Sequence, residues 1–268
     1  MSFFKTNDGV SLNYHVYGDS NNQAVILIEG YSSSEVTWIL QIQSFIKEGF
    51  YVVTYDHRLH GKSEKVDFGL SIQRLALDLK ELLDYLDIEK PIFIGHSMGS
   101  TTILAFEQMF TDGDLLAVIS EDQSPTFLKT EGWLGGSGKV LAELSQFMDD
   151  FPKTHLTKKP LDPKLKRVLG KGMLPFDFNA GRPLLRNVIT QDWRSVLKYE
   201  TVPHLFLAGS ESPVFPPEHA AAALALNKNK KSEAYMFEGC GHIPHLESPE
   251  EFDTVVIRFI NKLGYRKK

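Results

Sequence analysis

The chain has 268 residues, 42% of them hydrophobic and 11% aromatic, with a formal net charge of −5 and a single cysteine, Cys240. That length and apolar content suit one large α/β domain with room for an inserted lobe. The acidic balance, with no basic stripe, speaks against nucleic acid as the main partner. One cysteine excludes an intramolecular disulfide, and no apolar run approaches a membrane span or a signal core, so a cytoplasmic protein away from the membrane is expected. The lysine-rich patches at 227–231 and 266–268 read as solvated surface.

Residues 3–5 and 11–17 read as two strands. Thr6-Asn7-Asp8-Gly9 between them is turn chemistry, so a leading antiparallel hairpin is expected. Residues 24–28, Ala-Val-Ile-Leu-Ile, form a continuous apolar run, as in a strand buried on both faces. Helical spacing follows over 37–47 and is ended by Gly49. A strand over 51–55 runs into the polar loop 56–63, and Ser71 opens a helix to about Leu86 with leucines on one face and acids on the other. After the segment around Ser97, residues 117–119 form another short strand. Alternation then stops: residues 126–199 are helical or irregular. It resumes with a strand at 204–207, a helix over 218–226, a strand at 234–237 and a closing helix over 249–263. The interruption is too long for a plain loop and reads as a mostly helical cap inserted in a parallel-sheet core. The core would then comprise 1–125 and 200–268, and the cap 126–199.

The stretch Pro91-Ile-Phe-Ile-Gly95-His96-Ser97-Met98-Gly99-Ser100 carries the chemistry. An apolar run enters it and helical spacing over 101–110 leaves it, which makes Gly95-His-Ser-Met-Gly99 a G-x-S-x-G pentad in a strand-to-helix setting. Two glycines let the backbone turn sharply, leaving Ser97 exposed at a strained tip. The N-terminus of the following helix points unpaired N–H groups at the same spot, where they favour negative charge.

With the segments Glu29-Gly30-Tyr31, Tyr55 to Ser63, the Ser97 corner, Gly209 to Pro217, and Gly239-Cys-Gly-His242-Ile-Pro-His245-Leu-Glu247, the chain resembles the α/β-hydrolase fold family, in particular its esterase- and haloperoxidase-like serine hydrolases with a cap. The resemblance implies a mostly parallel, doubly wound sheet with an inserted helical cap. It makes His242 the general base, since a serine needs an adjacent base to take its proton. His245 is the rival, and reads rather as packing at the start of the last helix. A third group must hold the imidazole tautomer and stabilise the imidazolium. The family usually supplies it as Asp in a frame that here reads Gly209-Ser-Glu-Ser212-Pro-Val-Phe-Pro216, so that Ser212 occupies the acid's place. Asp122, at the end of the preceding core strand where some members carry their acid, is the first replacement. Glu211 is the second and Glu121 the third. An Asx turn with Ser124 and Pro125 is the structural alternative for Asp122. Backbone N–H groups of Tyr31 and Met98 are the implied oxyanion hole. Glu29 stands where the family often has His. It anchors the 56–63 loop, or it pairs with Arg58.

Other readings fall away on spacing. The pairs His57/His60 and His242/His245 lack the helix face and carboxylates of a metal site, so no metal and no cofactor are expected. Gly132 to Lys139 fails the phosphate-loop spacing. Cys240 is a small loop residue. The aromatic and Met side chains at 133, 147, 148, 151, 173, 176 and 178 are cap core or pocket wall, and a few of them should give a small-molecule substrate with an apolar part its pocket. The resemblance implies a serine hydrolase acting on a small ester or related carbonyl compound. Alternatives on the same fold are a cofactor-free dioxygenase of hydroxyquinolone-type substrates, a perhydrolase or haloperoxidase-like activity, and a non-catalytic ligand receptor. The sequence carries no signal for an oligomeric state.

Overall fold

A computed structural model describes residues 2–110, 115–130 and 132–265; the basic patch at 266–268 lies outside them. Strands β1 (Ser2–Lys5) and β2 (Ser11–Tyr17) form the expected antiparallel hairpin, with Phe3 opposite Asn13. Gly9 closes its turn at φ 89°, donating to Thr6 O at 2.9 Å. β2 pairs antiparallel with β4 (Tyr51–Tyr55), and every further pairing is parallel. With β3 (Ala24–Ile28), β5 (Ile92–His96), β6 (Ala117–Glu121), β7 (His204–Gly209) and β8 (Glu233–Phe237), the eight strands lie in the order β1-β2-β4-β3-β5-β6-β7-β8. This is the mostly parallel sheet expected.

Alternate residues of the buried strands feed two apolar layers. Val25, Leu27, Ile92, Ile94 and Ile119 pack with Phe45 of α1 (Ile39–Lys47) and with Phe252 and Phe259 of α10 (Pro249–Leu263). Ile26, Ile28, Val53, Phe93 and Val118 face α2 (Ile72–Tyr85), α3 (Met98–Phe110) and α8 (His219–Leu226). Helices therefore cover both faces, which explains why these strands are apolar throughout rather than alternating. Ser71 caps α2 by accepting from Arg74 N–H at 3.3 Å. A 3-10 turn, Glu35–Trp38, takes the first part of the helix expected over 37–47.

Two departures from the expected boundaries matter for function. β6 runs on to Glu121, paired with His96 of β5, so Ser97 and Asp122 are each the first residue past adjacent strands. Ser97 N–H donates to Glu121 O at 2.9 Å, and Asp122 N–H to Leu207 O at 2.8 Å. α3 begins at Met98, three residues before the 101–110 spacing, because the corner at Ser97 feeds the helix directly.

Between β6 and β7 lie α4 (Leu144–Asp150), α5 (Pro163–Gly172), α6 (Phe178–Thr190) and α7 (Arg194–Tyr199). Asp162 and Asp177 cap α5 and α6 by accepting N–H bonds from their first turns. Leu184, Leu185, Val188 and Ile189 of α6 join the layer that carries α2 and α3. α5 instead sets Leu165 and Leu169 on Leu246 of the four-residue helix α9 (Pro244–Glu247).

Candidate active site

Ser97 has φ 51°, a left-handed conformation unusual for serine. The corner admits no side chain at either glycine of the pentad. A Cβ on Gly95 would lie 2.6 Å from the carbonyl carbon of Gly99, and one on Gly99 would lie 2.4 Å from Ile28 O. Both small residues of the pentad are therefore steric requirements. The second also lets the loop after β3, which carries Tyr31, press against the first turn of α3. Met98, opening that helix, has an N–H with no intrahelical acceptor. His60 steadies the same loop: Ser32 N–H donates to its Nε2 at 3.1 Å, while its Nδ1–H donates to Arg58 O at 3.0 Å.

His242 arrives in the loop after β8, its backbone N–H donating to Leu156 O of the β6–β7 insertion at 2.7 Å. His96 Nε2–H donates to His242 O at 2.9 Å from the opposite side. So held, the His242 ring spans two partners. Its Nε2 is 2.9 Å from Ser97 Oγ and its Nδ1 is 2.5 Å from Asp122 Oδ2. An ionised carboxylate only accepts, so Nδ1 carries the proton and Nε2 presents a lone pair to the serine hydroxyl. All three residues are buried, Ser97 at 8% exposure and Asp122 at 0%.

Of the three candidate acids, only Asp122 meets His242. Its side chain is not engaged in an Asx turn. Oδ1 accepts from Gly209 N–H at 2.9 Å and from His219 Nε2 at 3.2 Å; Oδ2 accepts from the Ser212 hydroxyl at 2.5 Å as well as from His242. Burial pushes the Asp122 carboxyl up, but hydrogen bonds from His219 and His242 outweigh it and hold the group well below the usual carboxylate range. Ser212, in the slot where the acid was looked for, is thus a donor to the acid. Glu211 is exposed, and its carboxylate makes no hydrogen bond to His242 among the described residues. Glu121 belongs to His245, accepting from that residue's backbone N–H and pairing with its Nδ1, each at 2.7 Å. His245 stacks on Trp38 at 4.1 Å, the packing role expected for it. Burial pushes Glu121 up to about 8 and His245 down to about 3.

The suggested pairing of Glu29 with Arg58 is wrong. Arg58 binds Asp78 at 2.7 Å and Asp8 at 3.0 Å. Glu29 Oε1 instead accepts from His57 N–H at 2.9 Å, anchoring the 56–63 loop. Burial, reinforced by Asp56, raises the Glu29 carboxyl well above its ordinary range.

Beside these groups is a cavity of about 210 Å³, walled by Tyr31, His96, Leu156, Leu169, Met173 and Ile243 among others. A cavity of ~150 Å³ already admits a benzene ring. Phe151, Phe176 and Phe178 pack around the Tyr31 ring with centroids at 5.8, 4.9 and 6.2 Å. Among the described residues no group of three His, Cys, Asp or Glu converges as a metal centre would, and no helix is long and apolar enough to cross a membrane.

The family model described as "Alpha/beta hydrolase family" matches residues 25–255. The chain belongs to the α/β-hydrolase family. It is 26% identical over 255 residues to a bifunctional esterase/perhydrolase of Acinetobacter calcoaceticus, covering 88% of this chain and 91% of that one. It is 25% identical over 267 residues to 3-oxoadipate enol-lactonase 1 of Acinetobacter baylyi, covering 95% of each. An esterase from Exiguobacterium antarcticum has the same fold, with a TM-score of 0.86 at 20% identity over 97% of this chain and 99% of that one.

In this α/β-hydrolase the loop bearing His242 hangs on one further group that the sequence did not single out. The Glu247 carboxylate accepts N–H bonds from Gly241 at 3.0 Å, Ile243 at 3.2 Å, Lys158 at 2.6 Å and Lys159 at 2.8 Å. It fastens the insertion to the base loop. Glu247→Ala strands four donors and is expected to cost about 3 kcal/mol in urea unfolding, with a loss in kcat larger than any change in KM. Unchanged unfolding and kinetics would show the loop to be held by other contacts.

Proposed function

We propose that the chain is a serine hydrolase that cleaves a small ester or related carbonyl substrate through an acyl-enzyme. The observation that carries this reading is the unbroken hydrogen-bonded line from Ser97 Oγ through His242 to Asp122. Ser97 Oγ attacks the carbonyl carbon as His242 Nε2 takes its proton. Asp122 keeps the ring in the required tautomer and stabilises the imidazolium. The oxyanion is met by the N–H groups of Tyr31 and Met98. His242 returns the proton to the leaving alcohol, then activates water, which releases the acid and restores the serine. Residues 126–199 act as the cap, and the apolar part of the substrate sits in the cavity beside Tyr31.

A second reading uses the same residues. The relative named as an esterase/perhydrolase points to hydrogen peroxide in place of water at the second step, giving a peracid. Both outcomes share one acyl-Ser97. Hydrolysis of p-nitrophenyl and phenyl butyrate in the presence of peroxide is therefore expected to give one peracid-to-acid ratio whatever the leaving group. A ratio that follows the leaving group would rule out the common intermediate. Oxygen uptake with a hydroxyquinolone that survives Ser97→Ala and is lost with His242→Ala would choose the cofactor-free dioxygenase instead.

A further inference from the structure

Asp122 carries two imidazoles, and the reaction described above uses one. We propose that His219 is a positioning residue for the acid: it grips Asp122 by Oδ1 so that Oδ2 stays on His242. The proposal rests on the triad reading and adds a fourth side chain to it.

His219 is the first residue of α8 and is 1% exposed. Its Nε2 lies 3.2 Å from Asp122 Oδ1, while its Nδ1 is buried with no hydrogen-bond partner among the described residues. Phe215 lies against the ring, with centroids 5.4 Å apart. Packing alone does not call for an imidazole here, because an apolar ring would fill the space without leaving a buried nitrogen unpaired. The nitrogen that is paired faces the one carboxylate bonded to His242. A carboxylate offers about four lone-pair sites. Gly209, His219, Ser212 and His242 fill two on each oxygen. With both oxygens tied, the carboxylate cannot turn about its bond to the chain.

The same contact sets how strongly the acid pulls on His242. Each extra donor withdraws charge from the carboxylate and makes it a weaker partner for an imidazolium. Removing the His219 donor should therefore make His242 easier to protonate. The sign is the same whether His219 is neutral or cationic, since loss of a nearby cation also favours a charged His242. Among the described residues the other ionisable groups around this cluster include His96 on β5, Glu121 on β6, His245 and Glu247 on α9, with Glu211 and Glu218 exposed beside it. Burial lowers His96 and His245 to about 3 and raises Glu121 to about 8, so between pH 5 and 7 the two histidines stay neutral and Glu121 stays mostly protonated.

The test is kcat/KM against pH, over that window, for a neutral p-nitrophenyl ester with wild type, H219Q and H219F. Glutamine can still donate to Oδ1, so H219Q should keep both the rate and the position of the acid limb. H219F should lower kcat by about ten- to a hundredfold as the carboxylate gains freedom to turn, and should move the acid limb upward by roughly half a pH unit or more. H219M makes the same comparison should phenylalanine not be accommodated. An acid limb that stays in place, with H219Q and H219F equally impaired, would reduce His219 to packing and overturn the proposal. Ser97→Ala separates this from failure of the triad reading: if it retains wild-type activity, the triad falls and the role of His219 falls with it.

Discussion

Asp122→Asn is expected to lower kcat for a small ester by about 10⁴-fold, while Glu211→Gln leaves it unchanged. The asparagine keeps the volume and most of the hydrogen bonds. Its amide can offer an N–H to His242 Nδ1, which forces the proton to Nε2 and removes the lone pair that Ser97 needs. It also removes the charge that stabilises the imidazolium. The fold should survive, because Gly209 N–H and His219 Nε2 can still bond to an amide oxygen in the place of Oδ1, and the Ser212 hydroxyl can turn to accept from the amide N–H. Glu211 is exposed, and its backbone N–H donates to Cys240 O at 2.9 Å in the loop that leads to His242. The double variant D122N/S212D returns a carboxylate to the loop after β7 and should recover part of the rate. A deep loss in Glu211→Gln with Asp122→Asn near wild type would reverse the assignment.

Ser97→Ala is expected to cost about four to six orders of magnitude in kcat, and His242→Ala about as much. The double variant should be scarcely worse than either, because the two side chains act on one proton and one bond. What remains would come from binding and from the N–H groups of Tyr31 and Met98. Additive losses in the double variant would mean that the two residues work independently, contrary to the 2.9 Å contact between them.

Much of this site was legible before any coordinates because the family's features are local in the chain. The pentad, its entering strand and its leaving helix lie within twenty residues. The glycines at 95 and 99 are there for the approach of backbone, a constraint that sequence spacing records. His242 and Asp122 could be placed because each follows a strand of a parallel sheet, and parallel strands bring their C-terminal ends together. The hydrogen-bonding roles of Ser212, His219, His96 and Glu247 were not legible. Ser212 could be recognised as a departure from the family frame, but its role as a donor depends on Asp122 lying across the β6–β7 boundary. His219 and Glu247 sit at helix ends like ordinary capping or packing residues. Arg58 was misassigned for a related reason: its partners, Asp8 and Asp78, come from the first hairpin and from α2, and no short-range pattern links them.

The measurement that bears most directly on this account is intact-mass analysis after exposure to an alkyl fluorophosphonate. One adduct per chain is expected, mapping to the peptide that contains Ser97 and nearly absent in His242→Ala. A wild-type chain that turns over esters yet takes no label, or takes it on a different serine, would contradict the account.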